Sequence, residues 1–374
     1  MIKINKKILI LHSSNDLYGA SKIFLQIIHV LCEQEHEVHV FLPEKGKLDK
    51  LLNSNVIINH FELGVLRKNY FNPLGIINRL SSNIKAVNFL SNYIKLFSID
   101  VVYTNTSTIL CGGIAARINK IPSLFHIHEI PYGSKIYKFF IGKIINMFSD
   151  KIITVSKSVK KYWIKDLSNL KISTIYNGIE LNENLNKNLN KNFTLINVGR
   201  IYPLKGHMYF IEIILELLKI DSNLRFNIYG TPLDSGKEYF DKIKKIIIDN
   251  DLVDIVSFKG FIDNKYSIYQ NSDMLVHTSI YPDSLPTVIL ESLSYNVPVV
   301  STDIGGSSEI LNNGNLGLLI PLNRPFDSAN LIYKYINNKA LQRKHKNNSR
   351  EFLHNNFSIE VFKIKIIKEL NNLF

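Results

Sequence analysis

Short apolar, β-prone runs alternate with longer runs at helical spacing along the whole chain. Ile8 to Leu11 is the first strand, and Lys22 to Glu33 follows with its apolar residues at helical spacing. Glu37 to Leu42 is the second strand, closed by Pro43. The chain therefore opens as a βαβ unit, for which a right-handed crossover is expected. Helix-like residues at Lys47 to Asn53 precede a strand at Val56 to His60, and Ile76 to Phe97 reads as one long helical segment with room for a break. Strands follow at Val101 to Thr104, Leu124 to Ile127, Lys151 to Val155 and Ile172 to Ile175. Helices at Ile109 to Ile118 and Ile136 to Phe148 lie between them, and Ser156 is placed to cap the next.

Asn182 to Asn192, NENLNKNLNKN, is polar and asparagine-rich and reads as a linker. Beyond it the alternation restarts. Strands are predicted at Leu195 to Val198, Leu224 to Tyr229, Ile255 to Phe258, Met274 to His277, Val297 to Ser301 and Leu318 to Ile320. Helices are predicted at His207 to Leu218, Lys237 to Ile248, Tyr266 to Gln270, after Pro286, and at Ala329 to Ile336 and Leu341 to Phe352. This pattern predicts two α/β domains with mostly parallel sheets. The expected division is 1–181, a linker at 182–192, 193–355, and a terminal helix at 356–374 that packs back on the first domain. The halves share an architecture but no convincing sequence repeat.

Composition adds bounds. A chain of 374 residues exceeds one ordinary core. Its 45% hydrophobic and 21% charged content is that of a folded, soluble protein. The formal charge of +13 implies attraction to something anionic, although lysine beside isoleucine and asparagine is also what an AT-rich genome produces. Cys32 and Cys111 are far apart and lack metal-ligand spacing, which fits buried thiols in a reducing compartment. The first apolar run is too short for a signal sequence, and no run reaches membrane-spanning length. A cytoplasmic protein is expected, with peripheral contact to the inner membrane open. Two stretches suit an acidic lipid surface: Lys135, Lys138 and Lys143 among Ile136, Phe139, Phe140 and Phe148, and the group Arg67, Lys68, Tyr70 and Phe71. The competing reading of the first is an ordinary helix packed on the sheet.

Candidate chemistry gathers after the strands, where open parallel sheets place ligands. Gly19 and Ala20 follow the first strand, Asn105 and His128 follow later ones, and Asn177 closes the half. Gly19 permits close approach to a helix start, but the loop is not a GxGxxG fingerprint. His126 and His128 alternate, so one of them is expected on a given face. In the second half, Arg200 and Lys205 follow a strand and suit a diphosphate clamp. Asp283 lies in a loop and Glu291 in the helix after it, with Ser284, Leu285, Pro286 and Thr287 between. Sugar or ribose hydroxyls would satisfy both carboxylates, while helix capping is the plainer role for Asp283. The Gly305–Gly306 pair suits either ligand approach or a tight turn.

Together these residues resemble a retaining, nucleotide-sugar-dependent glycosyltransferase of family four, with the GT-B fold. The match is carried by Asp283-Ser-Leu-Pro-Thr-Val-Ile-Leu-Glu291, by Gly199-Arg200 with Lys205-Gly206, and by Gly305-Gly306. The resemblance implies two Rossmann-like domains facing across a cleft that a UDP- or GDP-type nucleotide sugar draws shut. It implies Glu291 on the ribose, Asp283 on the donor sugar, and Arg200 and Lys205 on the diphosphate. His128 would stand near the reacting sugar carbon, Gly19 and Ala20 would line the donor phosphate and acceptor region, and Asn177 would close it. The first acidic position of the family is usually glutamate, here Asp283, and its glycine pair is here Gly19-Ala20. No metal and no prosthetic group is implied. The implied acceptor is a saccharide, lipid-linked, in lipopolysaccharide or capsule assembly. An epimerase or phosphorylase on the same plan is the alternative. Nucleic acid as a partner is not expected, since no helix-turn-helix, finger or stacking platform accompanies the charge.

Overall fold

The computed structural model describes residues 5–16, 19–66, 73–131, 135–168, 171–182, 192–232 and 236–374. The chain divides into two compact units, 1–178 with 360–374, and 179–359. Most of the linker, residues 183–191, and the group at Arg67, Lys68, Tyr70 and Phe71 lie outside the described residues.

In the first unit, β1 (Lys7–Leu11) leads to α1 (Gly19–Glu33), β2 (Glu37–Leu42) and β3 (Val56–His60). Then come α2 (Pro73–Phe97), β4 (Val101–Thr104), α3 (Cys111–Ile118), β5 (Ser123–Ile127), α4 (Lys135–Phe148), β6 (Lys151–Thr154), α5 (Lys157–Trp163) and β7 (Ile172–Thr174). The seven strands are parallel in the order β3-β2-β1-β4-β5-β6-β7. Strand periodicity divides β1 between two cores. Ile8 and Ile10 pack with Phe24, Ile27 and Val40 on one face, while Leu9 and Leu11 pack with Leu90, Ile94 and Ala115 on the other. Both faces are covered, as an all-parallel sheet requires. The segment 47–53 shortens to one 3-10 turn, Leu48–Lys50. The helix allowed a break is continuous as α2. Ser156 caps α5 as expected, accepting a hydrogen bond from Val159 N at 3.0 Å.

The second unit repeats the plan with β8 (Thr194–Val198), α6 (His207–Leu218), β9 (Arg225–Tyr229), α7 (Lys237–Asp249), β10 (Val256–Gly260), α8 (Lys265–Tyr269) and β11 (Met274–His277). It continues through α9 (Thr287–Ser294), β12 (Val299–Thr302), α10 (Ser307–Ile310), β13 (Leu318–Ile320), α11 (Pro325–Asn337) and α12 (Lys339–Phe357). Its six parallel strands run β10-β9-β8-β11-β12-β13. Leu195, Phe226, Met274, Val276 and Val300 pack with Phe210, Ile213 and Ile214 of α6 and Ile332 of α11. The terminal helix α13 (Ile359–Asn371) buries Phe362, Ile366 and Leu370 in the first unit's core, and Lys151 pairs with its Glu369 at 2.7 Å.

Candidate functional sites at the strand ends

Strand order decides which loops meet. In the first unit β1, β4 and β5 are neighbours, so the residues just past each strand lie side by side. These are His12, Asn105 and His128, all buried. His128 Nε2 is 2.8 Å from Asn105 Oδ1. Asn105 Nδ2 is 3.1 Å from His12 Nδ1, and His12 Nε2 is 3.1 Å from Ser21 Oγ on α1. Ser21 Oγ donates to Asp16 Oδ1 at 3.0 Å. Burial pushes the His12 imidazole down to about 4, against the opposing pull of Asp16. It pushes His126 down to about 3. Burial, followed by the neighbouring His126 and His12 rings, drives His128 well below the ordinary histidine value. All three are neutral at pH 7.

The alternation expected for His126 and His128 is corrected here. β5 ends at Ile127, so His128 has left the pleat. The two rings lie 4.3 Å apart between centroids, and His126 Nδ1 is 2.8 Å from Tyr103 Oη. Glu129, which the sequence did not single out, ties the neighbouring loops together. Its carboxylate accepts from Thr106 Oγ1 at 2.6 Å, Ser107 Oγ at 3.0 Å, Ser107 N at 3.2 Å and its neighbour His128 N at 3.2 Å. Gly19 and Ala20 open α1. Among the described residues, a Cβ on Gly19 would meet nothing within 4 Å, so their packing does not demand glycine there. Asn177 is buried past β7, and its Oδ1 has no hydrogen-bond partner among the described residues.

In the second unit the loop after β8 is fastened to the end of β11. Leu204 O accepts from Ile280 N and Ser279 Oγ, both at 3.0 Å, and Thr278 Oγ1 donates to Gly206 O at 3.0 Å. Gly206 has φ +71°, and a Cβ there would collide with the Thr278 carbonyl, so this contact requires glycine. Lys205, closing the 3-10 turn Pro203–Lys205, is thereby carried to Asp283. Its Nζ lies 2.8 and 2.7 Å from the two carboxylate oxygens. His277 Nε2, at the end of β11, is 3.3 Å from Asp283 Oδ2. Burial alone would raise the Asp283 carboxyl. The Lys205 ammonium and His277 outweigh it and hold the group well below the usual carboxylate range. Arg200 is half-buried in the same loop.

Asp283 does not cap α9. The cap position is Pro286, without a side-chain bond. Ser284 and Thr287 are half-buried beside it, and Leu285 and Pro286 are buried. The Gly305–Gly306 pair serves protein packing. Gly306 N donates to Asp283 O at 2.8 Å, and side chains on either glycine would run into the 283–285 backbone. The second carboxylate has its own partners. Glu291 Oε1 is 2.7 Å from Lys265 Nζ, and Tyr269 Oη, which also donates to Val288 O at 3.2 Å, lies 3.5 Å from Oε2. Lys265, His277 and Glu129 escaped sequence reading. The signal for Glu129 was its place beside His128, and for His277 its place at the end of the strand that leads to Asp283.

Two open parallel sheets, each with polar groups past its carboxyl strand ends, define a protein of two Rossmann-like α/β units. The model of the glycosyl transferases group 1 matches residues 179–352, and that of glycosyltransferase family 4 matches residues 18–183. The chain is 26% identical to the UDP-Gal:α-D-GlcNAc-diphosphoundecaprenol α-1,3-galactosyltransferase of Escherichia coli, over 95% of this chain and 93% of that one. It is 24% identical, over the full length of both, to a Campylobacter jejuni α-1,4-N-acetyl-D-galactosaminyltransferase acting on an undecaprenol-diphosphate-linked saccharide. Anabaena HepE, crystallised with UDP-glucose, superposes with a TM-score of 0.80 at 23% identity, covering 98% of this chain and 100% of that one. The chain belongs to the GT-B-fold glycosyltransferases of the group 1 and family 4 kind. Among the described residues, no group of three or more His, Cys, Asp or Glu side chains is arranged to hold a metal ion.

Proposed function

We propose that this protein transfers a sugar from a nucleotide diphosphate sugar of the UDP type to a hydroxyl of a lipid-linked saccharide in bacterial surface-polysaccharide assembly, with retention at the anomeric carbon. The observation that carries the reading is the meeting of the Arg200–Lys205 loop with the Asp283 loop at the carboxyl end of one parallel sheet. A cationic loop beside a carboxylate suits a diphosphate joined to a polyhydroxylated sugar. The E. coli and C. jejuni relatives, which carry undecaprenol-linked acceptors in their names, support the acceptor class. HepE with UDP-glucose supports the donor class.

In this reading Arg200 and Lys205 hold the diphosphate, Glu291 takes the ribose hydroxyls, and Asp283 takes the donor sugar. Ser284, Leu285, Pro286 and Thr287 line the donor, as do Gly19 and Ala20, with Asn177 near them. The bond from C1 to the phosphate oxygen breaks while C1 bonds to the acceptor oxygen on the same face. The acceptor proton passes to the leaving phosphate, and His128 supports the charge that develops on the sugar. Lys205 is shared, because a phosphate that recruits its ammonium must draw it from Asp283.

Peripheral attachment to an acidic membrane completes the proposal. α4 buries Ile141, Gly142 and Ile145 against its unit. It exposes Ile136, Phe139, Phe140 and Met147 along the other side, with Lys143 above the Phe139 ring. α2 exposes Leu74, Ile77, Leu80 and Ile84 along one stripe. Apolar stripes with lysines suit the boundary between headgroup and acyl chain. Among the described residues no helix is long and apolar enough to cross a membrane.

The test incubates labelled UDP-sugars with undecaprenyl-diphosphate-linked saccharides and reads the product's anomeric configuration. The expected result is transfer with retention. Inversion would sink the mechanism, and absence of transfer from every nucleotide sugar would sink the function. Co-sedimentation with phosphatidylglycerol vesicles tests attachment. Binding that survives Phe140→Glu and Ile136→Glu together would remove α4 from it.

A further inference from the structure

The polar chain in the first unit has a direction. A carboxylate accepts hydrogen bonds and has none to donate. Ser21 therefore gives its only hydroxyl proton to Asp16 Oδ1. Its oxygen must then accept from His12, which places the His12 proton on Nε2. His12 Nδ1 is left as a lone pair, so it accepts from the Asn105 amide nitrogen. That sets the Asn105 carbonyl toward His128, whose Nε2 must carry a proton to bond it at 2.8 Å. The reverse orientation of Asn105 would need His12 protonated on Nδ1. His12 Nε2 would then demand the Ser21 proton that Asp16 already holds.

We propose that Asp16, Ser21, His12 and Asn105 form a one-way hydrogen-bond relay that fixes His128 as the Nε2–H tautomer and leaves its Nδ1 lone pair as the acceptor. Asn105, His12 and Ser21 are positioning residues that act on transfer through His128. This rests on the reading of His128 as a group beside the reacting sugar. A neutral ring with a fixed acceptor nitrogen can accept a hydrogen bond from a hydroxyl of the donor sugar in one geometry, whereas the other tautomer would present N–H there. The relay links the ends of β1, β4 and β5 to the first turn of α1, so no local stretch of sequence encodes it. Its residues are buried except Asp16, which is half-buried at the outer end.

The experiment reads the tautomer directly. Long-range proton–nitrogen NMR on 15N-histidine protein, with His128 assigned by His128→Gln, is expected to show protonated Nε2 and bare Nδ1 in the intact chain. Asp16→Ala frees the Ser21 hydroxyl to turn toward His12, and Ser21→Ala removes the link. Each is expected to give a mixed tautomer at His128. Each should lower kcat by roughly 5–10-fold with the donor KM unchanged within about twofold, the scale of one misdirected hydrogen bond. Ser21→Thr, which keeps the hydroxyl, is expected to restore both. Protonated Nδ1 in the intact protein, or an unshifted tautomer in both variants, overturns the relay. A shifted tautomer with unchanged kcat upholds the relay and instead removes His128 from the reaction.

Discussion

The two units solve one problem with different chemistry. Each brings polar groups from separate loops to the carboxyl ends of a parallel sheet. The first unit does so with a chain of neutral groups, His12, Asn105 and His128, buried from water and anchored through Ser21 to the Asp16 carboxylate. The second does so with ion pairs, Lys205 to Asp283 and Lys265 to Glu291. Neutral hydrogen bonds fix orientation and ask for no counter-charge. Ion pairs hold charge in reserve, and a charged ligand can compete for either partner. The first arrangement suits a reacting centre whose geometry must be set, the second a diphosphate whose charge must be met.

Acid should separate the units most. A histidine whose folded pKa is lowered contributes stability that is fully present above about 6.5, its unfolded value. That contribution is lost as pH falls toward the folded value, because the unfolded chain binds the proton first. Three deeply buried rings of this kind lie in the first unit: His12 at about 4, His126 at about 3, and His128 well below the ordinary value. His207, pushed to about 4 chiefly by burial, is the comparable deeply buried ring in the second. From pH 6.5 to 5 each can cost up to about 2 kcal/mol, so the first unit should lose more stability than the second. Hydrogen exchange at pH 7 and pH 5 resolves the units separately. Equal acceleration in β1, β4 and β5 and in β8 and β11 would refute the contrast.

Removing charge from the second unit should act on transfer more than on folding. Glu291→Ala and Lys205→Ala are each expected to lower kcat/KM about 100-fold or more, the scale of one lost charge-assisted contact to a reacting ligand. Circular dichroism should stay unchanged, since both side chains reach solvent. Near-normal rates in both variants would leave the acidic loop without a role in transfer.

The fold was legible because element type is local information. Alternating Ile8, Leu9, Ile10 and Leu11 announce a strand buried on both faces, and the apolar spacing in His207–Leu218 announces a helix. The motif residues Arg200, Lys205, Asp283 and Glu291 were legible too, through loop position and charge. Their partners were not. Lys205 and Asp283 are 78 positions apart, and they meet because β8 and β11 are neighbours, an order no local pattern states. The same holds for His12, Asn105 and His128. The Gly305–Gly306 pair stayed open between ligand approach and a tight turn because both demand the same residue, and only the structure shows the 283–285 backbone lying against it.

Asp283→Asn sharpens what an ion pair does that a neutral relay does not. Its depressed carboxyl stays ionised as pH falls through the ordinary carboxylate range, but the unfolded chain takes up the proton there, so the stability it adds is full above that range and is lost progressively as pH falls through it toward the folded value. Replacing the charge should cost the second unit about 1–2 kcal/mol. This is less than for a fully buried pair, since Lys205 and Asp283 keep 33% and 24% of their side chains exposed. Freed Lys205 should bind UDP roughly 3–10-fold tighter while transfer falls. Weaker UDP binding would mean that carboxylate and phosphate do not compete for the ammonium.

The smallest effect on folding is expected at Gly19, and it discriminates most finely. Gly206 is glycine because the protein's own backbone crowds it. At Gly19 an added Cβ meets no atom of the described residues within 4 Å, and the residue stands at the first position of α1. Packing among the described residues therefore gives no reason for glycine there. Alanine should leave stability unchanged or raise it by up to about 1 kcal/mol, as helix propensity favours it. If the helix start approaches the donor phosphate, that same methyl group stands where the ligand must come, and the donor KM should rise several-fold. Unchanged stability with unchanged KM would show that no ligand passes the amino end of α1. The second unit would then hold the donor's phosphates through Arg200 and Lys205 without help from this helix.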